Sequence, residues 1–265
     1  MIAVSWLWVV FTLLAAAGQS ARNAMQRELT AALGTVGATH VRFLFGFPFV
    51  LIFLAGVLIT TGLSLPVPTR SFWPWVLLGA LSQICSTALM LAAMNDRSFV
   101  VTIVYTKTEV IQVAVFALLF LGDPLTPPIA TAVLIGTVGV ILMSLKSGAP
   151  MQGGLKPTLL GLASGSMLAL SVIGYRGAIL SLGLPNFVLA ATFTLAVGLV
   201  LQAGLLTLYL ALRDRAVLLA IARAWRPSLF AGFMGAFASE NWFLAFALTS
   251  AANVRTLGLA EVLFA

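Results

Sequence analysis

The sequence has few charged residues, one cysteine and one histidine, and each shortage excludes a class of protein. Only 8% of its 265 residues are charged, whereas a soluble domain typically carries roughly 25%. The single Cys85 excludes an intrachain disulfide and a cysteine-based metal site. The single His40 excludes a histidine cluster for a metal and disfavours a histidine relay. No Walker pattern for a nucleotide is present, so we expect neither a metal nor another cofactor.

Hydrophobic residues are abundant, at 61% of the chain. Successive apolar runs each approach the ~20 residues that a membrane-spanning helix needs. Alternating segments of about ten residues, typical of transmembrane strands, are not found. The sequence therefore predicts an all-α polytopic membrane protein. We expect spans near residues 3–24, 36–61, 72–94, 98–121, 126–146, 156–180, 184–211 and 226–248, and a ninth span that begins near residue 252.

The net charge of +7 is explained by basic residues at the ends of the apolar runs, where they act as topology anchors. Because no basic stripe with interleaved aromatic residues exists, nucleic acid is not expected as a partner.

Residues 1–21 are similar to a signal peptide but lack its basic start, so the first span is expected to be retained. The positive-inside rule places the N-terminus outside the cell. The residues that decide this are Arg27, Arg97, Lys146, Lys156, Arg213, Arg215, Arg223 and Arg226, against Arg70 on the other side.

The chain repeats itself at a nearly constant offset. Residues 74, 79, 86 and 92 are identical to residues 227, 232, 239 and 245, at an offset of 153. Glu109 and Val110 return as Glu261 and Val262, and Arg22 returns as Arg176. One unit thus spans residues 1–150 with five helices, and an incomplete second unit spans residues 151–265. Because five is odd, the second unit enters the membrane from the opposite side, as in the inverted repeats of secondary transporters. If the second unit has the length of the first, about 35–40 further residues are expected to complete it.

Two stretches of the first unit resemble a known family. They are residues 109–126, Glu-Val-Ile-Gln-Val-Ala-Val-Phe-Ala-Leu-Leu-Phe-Leu-Gly-Asp-Pro-Leu-Thr, and residues 136–142, Gly-Thr-Val-Gly-Val-Ile-Leu. They resemble the EamA-type repeat of the drug/metabolite transporter superfamily, with Val110 in place of a proline and Asp123 in place of a glutamate. The resemblance implies ten helices around a central cavity, in the inner membrane, through which small solutes such as amino acids cross. It also implies that both termini are cytoplasmic, in conflict with the charge count.

Ionisable residues inside the apolar runs are the first candidates for a site, because burying charge in a bilayer is costly. Glu109 and Glu261 are related by the repeat and are expected to bind a cationic group or carry a proton. Lys107 is too close in sequence to face Glu109 on a helix. It is expected to pair with a carboxylate on another helix or to meet an anionic substrate. Tyr105 opens the same stretch and is included in the candidate site.

A second polar group lies in the middle of the third and eighth spans. Glu240 is expected to line the cavity, and its repeat mate Thr87 lies near Gln83 and Ser86. Gln83 and Asn241 are also candidates, but hydrogen bonding between helices is the favoured role for these two amides and for Ser86.

The arginines near span ends have two interpretations. Arg22 and Arg176 can grip a carboxylate with a bidentate fork, and Gln19 shares a helix face with Arg22. Anchoring at the membrane interface is the alternative, and it is favoured for these arginines and for His40 and Arg42. Arg255 opens the ninth span and can reach Glu240 or Glu261.

The function indicated by these features is secondary transport of small metabolites by alternating access, with proton coupling as an option. An intramembrane lipid-modifying enzyme is disfavoured, because the sequence offers one histidine and only scattered carboxylates. A lipid-carrier flippase on the same scaffold stays open. The expected partners are a small-molecule substrate and the lipid bilayer, and a homodimer is left open.

Overall fold

The structure, a computed structural model, describes residues 6–96, 102, 105–146 and 155–264. Within these ranges every regular element is a helix, as the sequence predicts. Helices suit a bilayer because they satisfy their own backbone hydrogen bonds. The predicted start of the fourth span at residue 98, Arg97 and residues 147–154 lie outside the described ranges. The helices are α1 (Leu7–Leu44), α2 (Phe47–Thr61), α3 (Phe72–Asp96), α4 (Glu109–Phe116, extended by a π-helical turn at Ala117–Leu121), α5 (Pro127–Lys146), α6 (Leu155–Ser181), α7 (Phe187–Arg213), α8 (Arg215–Arg223), α9 (Trp225–Leu248) and α10 (Ala251–Leu257, extended by a 3-10 turn at Gly258–Leu263).

Helix α1 folds back on itself at Gly34, where φ is 67° and ψ is 173°. The Nε2 atom of Gln26 donates a hydrogen bond of 3.0 Å to the carbonyl of Ala38. On a straight helix, these residues would lie about 18 Å apart. The first predicted span therefore continues to residue 33, and the expected loop at 24–36 is a tight turn.

Four helical segments among the described residues are long and apolar enough to cross a membrane, and a bent pair can supply a fifth. The longest segment, Leu7–Thr61, contains the turn at Gly34. The bent pair joins α8 to α9 at an angle of 89°. Helix α8 occupies the stretch between the predicted spans at 184–211 and 226–248. Its apolar side packs on α1 through Ile221 and Val217.

The most extensive helix contacts are reciprocal: α3 packs on α6, and α1 packs on α9. Small residues permit the close approach. A Cβ atom on Gly174 would lie 2.4 Å from the backbone nitrogen of Gly79, and one on Gly18 would lie 3.2 Å from the Cβ of Ala238. Such backbone-to-backbone contacts hold helices together where lipid removes the hydrophobic drive for association. The two contacts bring helices of the first and second halves around one central region.

Candidate substrate cavity

A cavity lies in this central region. Helices of both halves contribute to it, including α1, α3, α6, α9 and α10. Its polar lining consists of Gln19, Arg22, Asn23, Arg42, Gln83, Ser86, Thr87, Thr106, Lys107, Ser171, Tyr175, Ser239, Arg255 and Glu261. Its apolar wall consists of Met90, Leu168, Val172, Trp242, Phe243 and Phe246. The combination of an apolar wall and converging polar groups suits recognition of a small polar solute.

Two buried ion pairs join the halves beside the cavity. The amine of Lys107 donates to Oε2 of Glu261, and Nη2 of Arg255 donates to Oε1 of Glu109. All four side chains are at most 3% exposed. Each of these two glutamates therefore has a cation from the opposite half as its partner. The sequence correctly predicts that Lys107 pairs with a carboxylate on another helix, but the expected partners of Arg255 are wrong, because Arg255 pairs with Glu109.

Glu261 is held by α1 as well as by Lys107. Its Oε2 accepts from Gln19 Nε2 at 2.6 Å, and its Oε1 accepts from Asn23 Nδ2 at 3.1 Å. Gln19 in turn accepts from the indole of Trp242 at 3.0 Å. The guanidinium of Arg255 lies 4.4 Å from the centre of the Trp242 ring, a cation–π distance. This network fixes both oxygens of Glu261.

Arg22 and Arg42 lie side by side, at 2% and 6% exposure. The Nη2 and Nε atoms of Arg22 donate to Asn23 Oδ1 at 2.7 and 3.3 Å. The Nη1 atom of Arg42 donates to Thr87 Oγ1 at 3.0 Å. The anchoring predicted for Arg22 and Arg42 is wrong, because the turn at Gly34 places both arginines well inside the bundle. The same holds for His40, which is fully buried with its Nε2 3.0 Å from Thr207 Oγ1.

Gln83 is oriented by neighbours from the second half. Its Oε1 accepts from Gln202 Nε2 at 2.9 Å and from the hydroxyl of Tyr175 at 3.4 Å. Glycines make room for the Tyr175 ring, since a Cβ on Gly79 or Gly198 would lie 2.9 or 2.8 Å from it. Gln83 thus joins helices and lines the cavity at once, so both interpretations of this amide apply.

Five predicted site residues line the cavity, and the other five lie outside its lining. The first set is Gln19, Arg22, Gln83, Lys107 and Glu261, and the second is Tyr105, Glu109, Arg176, Glu240 and Asn241. Glu109 lies next to the cavity through its partner Arg255. Glu240 accepts from the hydroxyl of Thr192, and Asn241 donates to the carbonyl of Phe237 at 2.8 Å.

Tyr105 and Arg176 have packing contacts of their own. A Cβ on Gly161 would lie 2.7 Å from the Cβ of Tyr105. Arg176 forms a bidentate ion pair with Asp123, at 3.0 and 3.1 Å. It also donates to the carbonyls of Phe246 and Thr249 at the end of α9. Arg176 therefore ties the end of α4 to the end of α9.

Sequence reasoning missed Asn23 and Tyr175 as lining residues and assigned Arg42 to the membrane interface. A signal for Asn23 was present, since it adjoins Arg22 and lies four residues after Gln19, on the same helix face. Nothing in the sequence distinguishes Arg42 from an anchor unless the turn at Gly34 is known. Within the described residues, no group of three or more His, Cys, Asp or Glu side chains is arranged to hold a metal ion.

Comparisons with known proteins agree with this architecture. A solved crystal structure has a similar fold, with a TM-score of 0.69 and 15% sequence identity. The match covers 99% of this chain and 84% of the chain in that structure. That similarity supports the fold alone. No curated protein sequence matches the chain significantly. The model of the EamA-like transporter family matches residues 6–145, more than half of the chain. The chain therefore belongs to the EamA-like transporter family of the drug/metabolite transporter superfamily, as a multi-pass membrane protein.

Proposed function

We propose that this protein is a secondary transporter that moves small metabolites, such as amino acids, across the inner membrane by alternating access. The observation that carries the proposal is the cavity that helices of both halves line with polar side chains. A cavity at the interface of two halves is where transporters of this design bind their substrates. Its lining offers donors and acceptors that a polar solute needs once it leaves water.

The two halves, residues 1–150 and 151–265, are proposed to be inverted five-helix repeats. The reciprocal packing supports this, since α1 on α9 and α6 on α3 are the same contact with the halves exchanged. The paired glutamates support it too, because Glu109 and Glu261 each bind a cation from the other half. A two-fold axis through the cavity would relate these contacts.

Alternating access requires the halves to rock about the cavity, and the two ion pairs join those halves. We propose that the ion pairs of Glu109 and Glu261 hold one state closed and that substrate weakens them as it binds. Glu109 Oε2 has no hydrogen-bond partner among the described residues. Glu240 Oε2 also lacks a partner among these residues, but only Glu109 belongs to an ion pair between the halves. We therefore propose Glu109 as the residue that couples a proton to the movement of the halves.

A thermal-shift screen of the purified protein against amino acids and related metabolites tests the proposal. A ligand that binds the folded state raises the melting temperature as ln(1 + [L]/Kd). Compounds that raise it are then tested for uptake into proteoliposomes at several pH values. We expect saturable uptake for at least one of them. The absence of saturable uptake for every stabilising compound would contradict the transport function.

The Glu109→Gln variant tests the coupling role in the same vesicles. We expect its uptake to be lower and no longer dependent on a pH gradient. Arg70→Gln, which removes an exposed cation of the α2–α3 loop, is the control and should behave as wild type. Uptake that keeps its dependence on the pH gradient in Glu109→Gln would remove Glu109 from the coupling mechanism.

A further inference from the structure

We infer that Arg22 and Arg42 form the binding site for an anionic group of the transported solute, which therefore carries a net negative charge. The inference rests on the proposed transport function and narrows its substrate class. The anionic group is a carboxylate or a phosphate, since both accept from the fork of a guanidinium. The sequence predicts a carboxylate-binding role for Arg22 with Arg176, whereas the pairing of Arg22 with Arg42 follows only from the fold.

The two arginines converge because α1 turns at Gly34. Twenty residues separate them in sequence, which would be about 30 Å on one straight helix. In the folded chain, both side chains flank Gly235 of α9. A Cβ atom built on that glycine would lie 3.3 Å from Cδ of Arg22 and 3.5 Å from Cγ of Arg42. Both arginines line the cavity.

Neither guanidinium has a carboxylate within 4 Å among the described residues, although both are almost completely buried. Their only described polar partners are neutral: Asn23 for Arg22 and Thr87 for Arg42. Arg42 also lies over the ring of Phe43, at 5.2 Å from its centre. A buried charge without an opposite charge in direct contact is costly. Proteins keep such groups where a ligand supplies the missing charge.

The nearby carboxylates are already engaged. Glu261 has both oxygens bonded, and Glu109 is paired with Arg255. The cavity and its ion pairs thus hold the cations Arg22, Arg42, Lys107 and Arg255 against the carboxylates Glu109 and Glu261. This leaves an excess of two positive charges at the arginine pair. A zwitterion brings no net charge to offset that excess, whereas a dianion offsets both.

Each of the two guanidinium groups also has a donor without a partner. Arg22 Nη1 and Arg42 Nε are buried and have no acceptor among the described residues. An unbonded buried donor is itself destabilising. An anionic oxygen between the two side chains would satisfy both atoms with charge-assisted hydrogen bonds.

The repeat mate of Arg22 shows what a structural arginine looks like in this protein. Arg176 is bonded to both oxygens of Asp123 and to two backbone carbonyls. It has its own carboxylate and needs no ligand. The contrast between the mates separates a structural arginine from one that is left to meet a solute.

Binding to the purified protein in detergent, measured by calorimetry, tests the inference. The probes are succinate and inorganic phosphate as anions, succinamide as the uncharged match for succinate, and alanine as a zwitterion. We expect succinate or phosphate to bind, and to bind more tightly than succinamide and alanine. The stronger of the two anions identifies the group as a carboxylate or a phosphate.

Two variants locate the binding. Arg22→Gln and Arg42→Met should each weaken the binding of that anion by about 30-fold or more, because each removes one half of a buried charge pair. Arg22→Lys keeps the charge but loses the fork, and it should fall between Arg22→Gln and wild type. Arg70→Gln is the control and should bind as wild type. Folding is checked by melting temperature, which should stay the same or rise in both variants without ligand, because each removes an uncompensated charge.

Three results would overturn the inference: equal binding of succinate and succinamide, binding of alanine as tight as that of the anions, or full anion binding by both variants. A fall in the ligand-free melting temperature of both variants would assign the arginines to structure instead. If anions bind but no solute crosses the membrane of proteoliposomes, the site stands and the transport function fails. If neutral or zwitterionic solutes are transported and anions do not bind, the function stands and the inference fails.

Discussion

The amine of Lys107 donates to the carboxylate of Glu261, which follows it by 154 residues and belongs to the opposite half of the molecule. A second pair, Arg255 with Glu109, crosses between the same two segments in the other direction. Buried ion pairs contribute little net stability, because desolvation offsets their attraction. Their position between two halves favours a role in choosing between conformations.

A double-mutant cycle on Lys107 and Glu261 should show strong energetic coupling between the two side chains. Lys107→Met and Glu261→Gln each leave one partner buried without the other. We expect each to lower the free energy of unfolding by about 3–5 kcal/mol, and the double variant to lose clearly less than the sum. Chemical denaturation in detergent measures this. Additive losses would mean that the two side chains do not interact.

Helix α6 should tolerate no side chain at Gly174. A Cβ there would lie 2.4 Å from the backbone nitrogen of Gly79, so Gly174→Ala must push α3 and α6 apart. Overpacking of this kind typically costs about 1–3 kcal/mol. Gly139→Ala is the matched control, since Gly139 is also helical and has nothing within 4 Å of its Cβ position. Equal melting temperatures for the two variants would contradict the close crossing.

The turn in α1 should depend on glycine for a backbone reason alone. Nothing lies within 4 Å of a Cβ on Gly34, but its φ of 67° and ψ of 173° fall in a region that glycine alone occupies readily. We expect Gly34→Ala to cost about 1–3 kcal/mol. Gly56→Ala, in an ordinary turn of α2 with equally open surroundings, should be neutral or slightly stabilising. Thermal unfolding of the two variants decides whether the chain reverses at residue 34.

Arg22 and Arg176, which the proposed repeat relates to each other, should respond in opposite ways to substitution by glutamine. Arg176→Gln breaks the ion pair with Asp123 and the bonds to the end of α9. Breaking a buried pair lowers the free energy of unfolding by up to about 3–5 kcal/mol. The expected loss is smaller here, because Asp123 is partly exposed and water can solvate its carboxylate. Ligand affinity, measured on the folded fraction, should change little. A loss of affinity in Arg176→Gln, with stability intact, would reverse the roles that we assign to the two arginines.

Much of the fold follows from the sequence. Apolar runs of membrane-spanning length predict the helices. The charged residues Lys107 and Glu261 inside those runs are predicted as site residues, and both line the cavity. The turn at Gly34 was not predicted, because residues 25–33 contain Gln26, Arg27 and Glu28 and resemble a loop. Their helix is stabilised by packing on α8 and by the bond from Gln26 to Ala38.

The composition of the site was harder to predict for a related reason. An arginine a few residues inside an apolar run has the same sequence pattern whether it anchors the helix or lines a cavity. Placing the turn at residue 34 puts Arg42 about 12 Å along its helix and Arg22 about 18 Å along the other. Partner choice is a second limit. The sequence favours Glu240 or Glu261 as the partner of Arg255, but the contact with Glu109 depends on how α4 and α10 pack, which no local pattern encodes.

Solute uptake into proteoliposomes that contain a variant with a partly filled cavity tests the central claim most directly. Leu168→Trp adds bulk to the apolar wall of the cavity, and Leu208→Trp adds the same bulk at a position that is 58% exposed on α7. Both are reconstituted at equal density after their melting temperatures have been compared. We predict that wild type and Leu208→Trp take up the stabilising metabolite with saturable kinetics and that folded Leu168→Trp does not. Undiminished uptake by Leu168→Trp would mean that the solute does not pass through this cavity.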